Sequence, residues 1–168
     1  MANLITIVFT DLVDSTGVKA EMPGRDIAAR NHACIERILQ PHRQRVRGIG
    51  EKYGMHVVKT EGDAYFVVFD NPSQAAQCAA EIQDSHREHP IETGTAYGNV
   101  RVKIGMHTGA PPPDPDDPND YVGEEVDYAS RVAALANGGQ ITLSEATTVF
   151  VRDAHITDFA VHPHVNVN

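Results

Sequence analysis

The first strong signal in the chain is residues 5–16, ITIVFTDLVDST. Its first five residues are β-branched or aromatic and predict a strand over 4–10, whereas the Asp, Ser and Thr residues that follow predict a turn over 11–16. Such side chains ordinarily bind the free backbone N–H groups where a strand turns into a helix. The same residues are also expected where a strand places a carboxylate, here Asp11, in contact with a ligand at the edge of a sheet. Both interpretations stay open at this point.

A second strand signal, HVVKTEGDAYFVVF at residues 56–69, predicts a β-hairpin with strands over 56–60 and 64–69. Gly62 and Asp63 between them are residues that tight turns favour. Pro41 is expected to bend or end the first helix of the chain, with further helical turns up to Gly54. The remaining predicted elements are helices at 24–40, 71–89, 124–137 and 145–151, and strands at 100–109, 140–144 and 154–161. This order predicts one α+β or α/β sandwich with a single mixed sheet.

The composition indicates one globular domain, residues 1–168. The chain is 41% hydrophobic and 22% charged, which is typical of globular proteins. A net charge of −9 argues against binding nucleic acid, although a nucleotide can still bind if cations bridge the two. Cys34 and Cys78 lack a C-x-x-C partner and predict reduced thiols. With no signal peptide and no apolar run near the ~20 residues of a membrane span, we expect a cytoplasmic protein without membrane insertion.

Two carboxylates and a turn predict a metal and phosphate site. If the strands that end near Asp11 and Asp63 are neighbours, both carboxylates project from one edge of the sheet and repel each other unless a cation lies between them. Mg²⁺ binds one or two carboxylates plus phosphate oxygens, and two metals about 4 Å apart clamp a phosphoryl transfer. The N–H groups of the turn 12–16 would then hold phosphates at a helix N-terminus. An ordinary hairpin aspartate is the alternative for Asp63.

Three further charged residues have both a structural and a functional interpretation. Lys59, four residues before Asp63, is either a solvated strand residue or a donor to a base or a phosphate. Arg131 is either a surface salt-bridge partner or a ligand contact. Asp127 lies four residues before Arg131 on the same helix face, so the two residues either stabilise the helix or point together at a ligand.

Four blocks of sequence resemble the catalytic domains of class III nucleotidyl cyclases. They are FTDLVDST, VVKTEGDAYFVVF, VRVKIGMHTG and DYVGEEVDYASRVAALANGGQITLSEAT, and they occur between Ile5 and Thr147 in the family's order and spacing. The resemblance implies a ferredoxin-like mixed sheet with flanking helices, and a head-to-tail homodimer with active sites at its interface. It also implies conversion of a nucleoside triphosphate into a 3′,5′-cyclic nucleotide and pyrophosphate, with two Mg²⁺ or Mn²⁺ ions per site, for intracellular signalling.

The resemblance assigns roles to individual residues. Asp11 and Asp63 match the metal-binding aspartates, with the backbone of Leu12 beside the metal. Lys59 and Asp120 match the pair that recognises the base, a combination that implies adenine. Arg131 matches the arginine that stabilises the pentavalent phosphorus, and Asp127 matches the residue that orients the ribose. The phosphate-holding turn corresponds to the backbone of Leu12, Val13, Asp14, Ser15 and Thr16. The resemblance places Asp11 and Asp63 on one protomer and the other side chains, Lys59, Asp120, Asp127 and Arg131, on its partner.

The chain departs from the family's pattern at three places. Asp127 stands where the family usually has Asn, and Asp14 replaces a frequent Gly of the phosphate turn. The family also continues to a C-terminal Lys that binds the terminal phosphates. No Lys follows Lys103 in this chain, so we expect the family's C-terminal segment to be missing.

Three functions therefore stay open. The leading one is an adenylate cyclase. A cyclase for GTP or a pyrimidine triphosphate is the second, because few residues recognise the base. A catalytically degenerate module that binds nucleotide or dimerises is the third, because of Asp127 and the absent Lys. A diguanylate cyclase is disfavoured, because the hairpin sequence EGDAY lacks the Gly-Gly-acidic-acidic signature of that family.

Overall fold

The computed structural model describes residues 3–152, which form a five-stranded sheet with helices on both faces. The strands are β1 (Ile5–Leu12), β2 (His56–Glu61), β3 (Ala64–Phe69), β4 (Val102–Gly109) and β5 (Ile141–Leu143). The helices are α1 (Ser15–Glu21), α2 (Ile27–Cys34), α3 (Gln40–Lys52), α4 (Pro72–Glu88), α5 (Glu124–Ala134) and α6 (Glu145–Arg152). A π-helical turn, Ile35–Leu39, joins α2 to α3.

The strands lie in the order β2-β3-β1-β4-β5, and every neighbouring pair is antiparallel except β4 and β5. The predicted hairpin is present as β2 and β3, and the sheet confirms the predicted ferredoxin-like mixed architecture. In this register Phe9 on β1 lies opposite Phe66 on β3, and Asp11 lies opposite Lys103 on β4. The sheet therefore brings the end of β1 between the hairpin turn and the start of β4.

The core has a large part on one face of the sheet and a small part on the other. Residues such as Val8, Val67 and Ile104 pack with α3 and α4 on the first face. On the second face Ile7 and Phe66 pack with Ala129 of α5. Gly105 on β4 makes this second layer possible, because a Cβ there would lie 2.1 Å from the Cα of Ala133 in α5.

The start of the chain differs from the prediction in the length of the turn. β1 continues to Leu12 and α1 begins at Ser15, so the turn predicted over 11–16 is shorter than expected. Asp11 consequently lies within the strand, where the ladder with β4 fixes its backbone. The helix predicted over 24–40 begins at Ile27 instead.

Pro41 does not end the helix, because it lies inside a helical run that continues to Lys52. A proline lacks an N–H group and clashes with the carbonyl group four residues before it. The π-helical turn lies just ahead of this proline, and in it the Gln40 N–H donates to the Ile35 carbonyl. A wider helical turn of this kind accommodates the proline without a break.

The second half of the chain follows the prediction with small shifts. β4 begins at Val102 and not at residue 100, and α5 ends at Ala134 and not at residue 137. Helices on both sides of the sheet bury nearly the whole of β4. The strand predicted over 154–161 lies outside the described residues.

Both cysteines, Cys34 and Cys78, are buried free thiols, as the sequence predicts. Within residues 3–152, none of the helices combines the length and the apolar content that crossing a bilayer requires.

Candidate active site

The two predicted carboxylates lie side by side at one end of the sheet. The Leu12 N–H at the end of β1 donates to Asp63 Oδ2 over 3.1 Å, which ties the β2–β3 turn to the strand that carries Asp11. From the other side, the Arg43 guanidinium of α3 donates to the Gly62 carbonyl and holds the same turn. Burial raises the pKa of Asp63, and the negative charge of Asp11 raises it further. The pair is therefore an electrostatically unfavourable arrangement that a bound cation would stabilise.

Lys103 is a member of this cluster that the sequence did not predict. It lies directly opposite Asp11 in the β1–β4 ladder, and its Nζ is 3.5 Å from Asp11 Oδ2. Its side chain is only 30% exposed. A single Lys in an alternating strand carries no signal of its own, because its partner depends on the strand register. Lys103 therefore supplies a positive charge beside the two carboxylates.

The turn between β1 and α1 is held in an unusual conformation. Asp14 has φ 57° and ψ 23°, a left-handed conformation that glycine adopts more readily than aspartate. Its carboxylate does not cap α1 but lies 3.2 Å from the Arg101 guanidinium. The Val13 N–H donates to the Arg101 carbonyl over 3.0 Å, so this predicted phosphate-binding amide already has a partner.

The amides of Ser15 and Thr16 are better placed for an anion. The first intrahelical bond of α1 runs from the Val18 N–H to the Asp14 carbonyl, so these two amides have no partner within the helix. A pocket of about 540 Å³, including its open mouth, lies beside Ser15, with Asp63 and Arg101 in its wall.

The donor set at this end of the sheet fits Mg²⁺ or Mn²⁺ better than a softer metal. Carboxylate oxygens are hard ligands, and Asp11 and Asp63 are the two that the fold brings together. In residues 3–152 no group of three or more His, Cys, Asp or Glu side chains is close enough to hold a metal alone. Substrate oxygens and water would have to complete the coordination, as Mg²⁺ sites commonly require.

Lys59 and Asp120 form a preformed ion pair. The Lys59 ammonium donates to Asp120 Oδ2, and this hydrogen bond lowers the pKa of Asp120. Lys59 also lies over the Phe66 ring, 5.6 Å from its centroid. Asp120 is fixed by its own loop, because its carbonyl accepts from the Asp114 N–H and its Oδ1 accepts from the Tyr121 N–H. The acidic Pro-Asp loop therefore closes on itself and presents Asp120 to Lys59.

Asp127 and Arg131 lie on α5, and the structure does not pair them. Within the described residues no ion pair joins the two side chains, so the predicted helix-stabilising pair is absent and the ligand-facing alternative stays a prediction. The Arg131 guanidinium lies 5.7 Å from the centroid of the Tyr128 ring. Asp127 is exposed in the first turn of the helix.

The predicted site residues thus form separate groups in one chain. Asp11 and Asp63 lie together beside the turn 12–16, and Lys59 lies with Asp120. In residues 3–152 no hydrogen bond or ion pair links Asp11 or Asp63 to Lys59, Asp120, Asp127 or Arg131. Their assignment to two protomers stays a prediction.

Comparison with known proteins identifies the family. The adenylate and guanylate cyclase catalytic domain matches residues 1–167. The chain is 34% identical over 159 residues to an adenylate cyclase of Lachancea kluyveri, which covers 83% of this chain and 8% of the relative. It is 34% identical over 160 residues to an adenylate cyclase of Podospora anserina, with coverages of 84% and 7%. The chain therefore spans only a small part of these relatives.

A solved structure agrees at the level of the fold. The dimeric guanylyl cyclase domain of the RhoGC fusion protein from the fungus Blastocladiella emersonii superposes with a TM-score of 0.70 at 23% identity, covering 90% of this chain and 84% of that one. Taken with the sequence match over nearly the whole chain, the sheet order and the positions of the two aspartates lead to one conclusion. The chain belongs to the class III adenylate and guanylate cyclase catalytic domain family.

Proposed function

We propose that this domain is an adenylate cyclase that converts ATP into 3′,5′-cyclic AMP and pyrophosphate for intracellular signalling. The observation that carries the proposal is the juxtaposition of Asp11 and Asp63 near the amides of Ser15 and Thr16, which have no partner within α1. Inside a cyclase fold, such a carboxylate pair next to anion-binding amides suits a metal-bound triphosphate. The buried free thiols Cys34 and Cys78 support a reducing, cytoplasmic location for the domain.

Asp11 and Asp63, with the backbone of Leu12, would hold two divalent cations, Mg²⁺ or Mn²⁺. When bound, these ions would neutralise phosphate charge and favour the ionised form of the ribose 3′-hydroxyl. The amides of Ser15 and Thr16 would hold phosphate oxygens, and Lys103 would add a cation at the same place. Positioning of the 3′-oxygen in line with the α-phosphorus then supplies much of the rate enhancement.

The base assignment rests on the Lys59–Asp120 pair. Adenine has an amino group that a carboxylate can accept from, and a ring nitrogen that an ammonium can donate to. Guanine presents an oxygen and an N–H at these positions. The Asp120 carboxylate would then face another acceptor, and the Lys59 ammonium would face another donor. Each such mismatch costs roughly 1–3 kcal/mol when it is buried.

The two groups of site residues support a site shared between two copies of the chain. One protomer would supply Asp11 and Asp63, and its partner would supply Lys59, Asp120, Asp127 and Arg131. Arg131 would then stabilise the charge that develops on the phosphorus, because its guanidinium has no carboxylate partner among the described residues.

The experiment is a product analysis of the full chain. Purified protein is incubated with Mn²⁺ and each of ATP, GTP, CTP and UTP, and products are identified by mass. We expect cyclic AMP as the main product, loss of it in Asp11→Ala, and retention of it in the surface control Asp70→Ala, whose side chain is 86% exposed. A different main product would contradict the base assignment. No product from any nucleotide would favour the degenerate binding module instead.

A further inference from the structure

A hydrogen bond between His107 and Glu125, two residues with no proposed substrate contact, connects the sheet to the start of α5. His107 on β4 is buried, and its Nε2 lies 2.5 Å from Glu125 Oε2 in the first turn of the helix. Its other ring nitrogen, Nδ1, lies 2.8 Å from the Ser144 hydroxyl. The ring also packs edge-on against Tyr128 of α5, with centroids 4.8 Å apart. The imidazole of β4 therefore contacts both α5 and the connection between β5 and α6.

The hydrogen bonds of His107 belong to a continuous chain of polar groups. Because a carboxylate only accepts, Nε2 must carry the proton that it donates to Glu125. In the neutral ring Nδ1 then accepts from the Ser144 hydroxyl. Buried hydroxyls continue the chain at separations of 3.0–3.1 Å, through Thr147, Thr108 and Thr6. The imidazole is thus oriented from behind by a polar network that reaches β1.

The start of α5 lacks the restraint of a capping side chain. Its N-cap residue is Gly123, which has φ 97° and offers no side-chain cap. The Glu125 carboxylate fits against β4 only because residue 109 is glycine, since a Cβ at that position would lie 1.9 Å from Glu125 Oε2. The helix that begins here carries Asp127 and Arg131. Glu125 is therefore the side chain through which the buried network can set where this helix begins.

We infer that His107 and Glu125 are positioning residues for the reaction, which fix α5 so that Asp127 and Arg131 reach the nucleotide of the partner's metal site. The inference rests on the proposed function, because it assumes that Arg131 acts on the triphosphate. His107 itself touches no substrate in this scheme. Its effect is transmitted through the Glu125 carboxylate to the helix.

Three variants and one control separate this role from a general loss of stability. Glu125→Ala removes the contact, and Gly109→Ala displaces the carboxylate without changing either partner. Glu125→Gln keeps an oxygen that accepts from His107 and removes only the charge. Glu124→Ala is the matched control, because it deletes an exposed carboxylate from the same helical turn.

We expect Glu125→Ala and Gly109→Ala to lower kcat by between about tenfold and about a hundredfold, the range that a small misplacement of a reacting group produces. KM for ATP should change by less than about threefold, since the base-binding pair and the metal aspartates are untouched. Glu125→Gln and Glu124→Ala should keep kcat within about threefold of the wild type. Equal losses in Glu125→Ala and Glu124→Ala would overturn the inference.

A complementation experiment locates the defect within the dimer. Mixing Glu125→Ala with Asp11→Ala should give more activity than the sum of the separate proteins, because the heterodimer contains one site with an intact α5 and intact aspartates. Mixing Glu125→Ala with Arg131→Ala should give no such gain, because both substitutions damage the same half of the site. Equal behaviour of the two mixtures would overturn the inference.

The mixture of Asp11→Ala with Arg131→Ala tests the proposed shared site independently. Recovery in this mixture supports the shared site, and a wrong pattern for Glu125→Ala then refutes only the positioning role. Absence of recovery, at concentrations where labelled subunits demonstrably exchange, refutes the shared site and the positioning role together.

Discussion

Replacing Asp63 with asparagine should separate metal binding from folding. In the folded chain the pKa of Asp63 is raised, first by burial and then by Asp11. A raised pKa means that this carboxyl group contributes stability at low pH, and that the contribution is lost as pH rises through the folded-state pKa. At pH 7 the ionised side chain therefore opposes folding unless a cation is bound. An asparagine removes the charge, and its oxygen can still accept from the Leu12 N–H.

The magnitude follows from ligand linkage. A metal at ten times its dissociation constant stabilises the folded state by about 1.4 kcal/mol, which raises the Tm of a domain of this size by roughly 3–6 °C. With only two carboxylates available, loss of one should weaken metal binding by at least about a hundredfold. The stabilisation by the same metal concentration then falls below about 0.1 kcal/mol. Thermal unfolding at pH 7 with and without Mn²⁺ measures both quantities.

We therefore expect Asp63→Asn to unfold at or above the wild-type temperature without metal, and to show no shift with Mn²⁺. Asp70→Asn is the matched control, because it removes an exposed aspartate at the far end of β3 and should keep the full wild-type shift. A Mn²⁺ shift in Asp63→Asn equal to that of the wild type would refute the metal assignment. Unfolding several degrees lower without metal would show that the charge itself is structural.

Three further predictions concern the base, the ribose and acid stability. The wild type should use ATP at least about tenfold better than GTP in kcat/KM, about 1.4 kcal/mol, and Lys59→Glu combined with Asp120→Cys should remove most of that ratio; an unchanged ratio would contradict the assignment. Asp127→Asn should raise kcat severalfold in steady-state assays, because an amide both donates and accepts and adds no charge near phosphates; a lower kcat would argue against a ribose contact. Burial lowers the pKa of His42 from 6.5 to about 3, so the unfolded chain binds an extra proton below pH 6.5 and stability falls as pH drops from 6.5 towards 3. Urea unfolding should show that wild type loses about 2 kcal/mol more than His42→Gln between pH 7 and pH 5, and equal losses would contradict this.

Local patterns were sufficient for most of the fold. The run of β-branched and aromatic residues in 64–69 and the Asn71-Pro72 helix start predicted β3 and α4 nearly to the residue. Of the two outcomes predicted for Pro41, the end of the helix was wrong, because that rule considers the proline alone, whereas the π-helical turn ahead of it depends on how the whole helix packs. The strand predicted over 100–109 is confirmed as β4, but its burial depends on the helices that cover both of its faces and was not predicted.

The site divides in the same way between local and non-local information. Asp11 and Asp63 stand at the ends of recognisable strands, so their approach could be inferred from the sequence. Lys103 could not, because its contact with Asp11 exists only in the register of β1 with β4. His107 and Glu125 are 18 residues apart on a strand and a helix, and no spacing rule joins them. Such contacts are set by tertiary packing, which a single sequence does not display.

The charge balance at the site gives a physical reason for the metal dependence that we propose for so acidic a chain. The chain carries a net charge of −9, and the ligand it is proposed to bind is itself strongly negative. Near the turn, two cations are already paired with the chain's own carboxylates, Lys103 with Asp11 and Arg101 with Asp14. Binding a triphosphate without added cations would break these pairs and leave Asp11 and Asp14 facing phosphate oxygens. With divalent cations bound, Asp11 and Asp63 would act as metal ligands and no longer as a repelling pair, and Lys103 would be free to contact the phosphates.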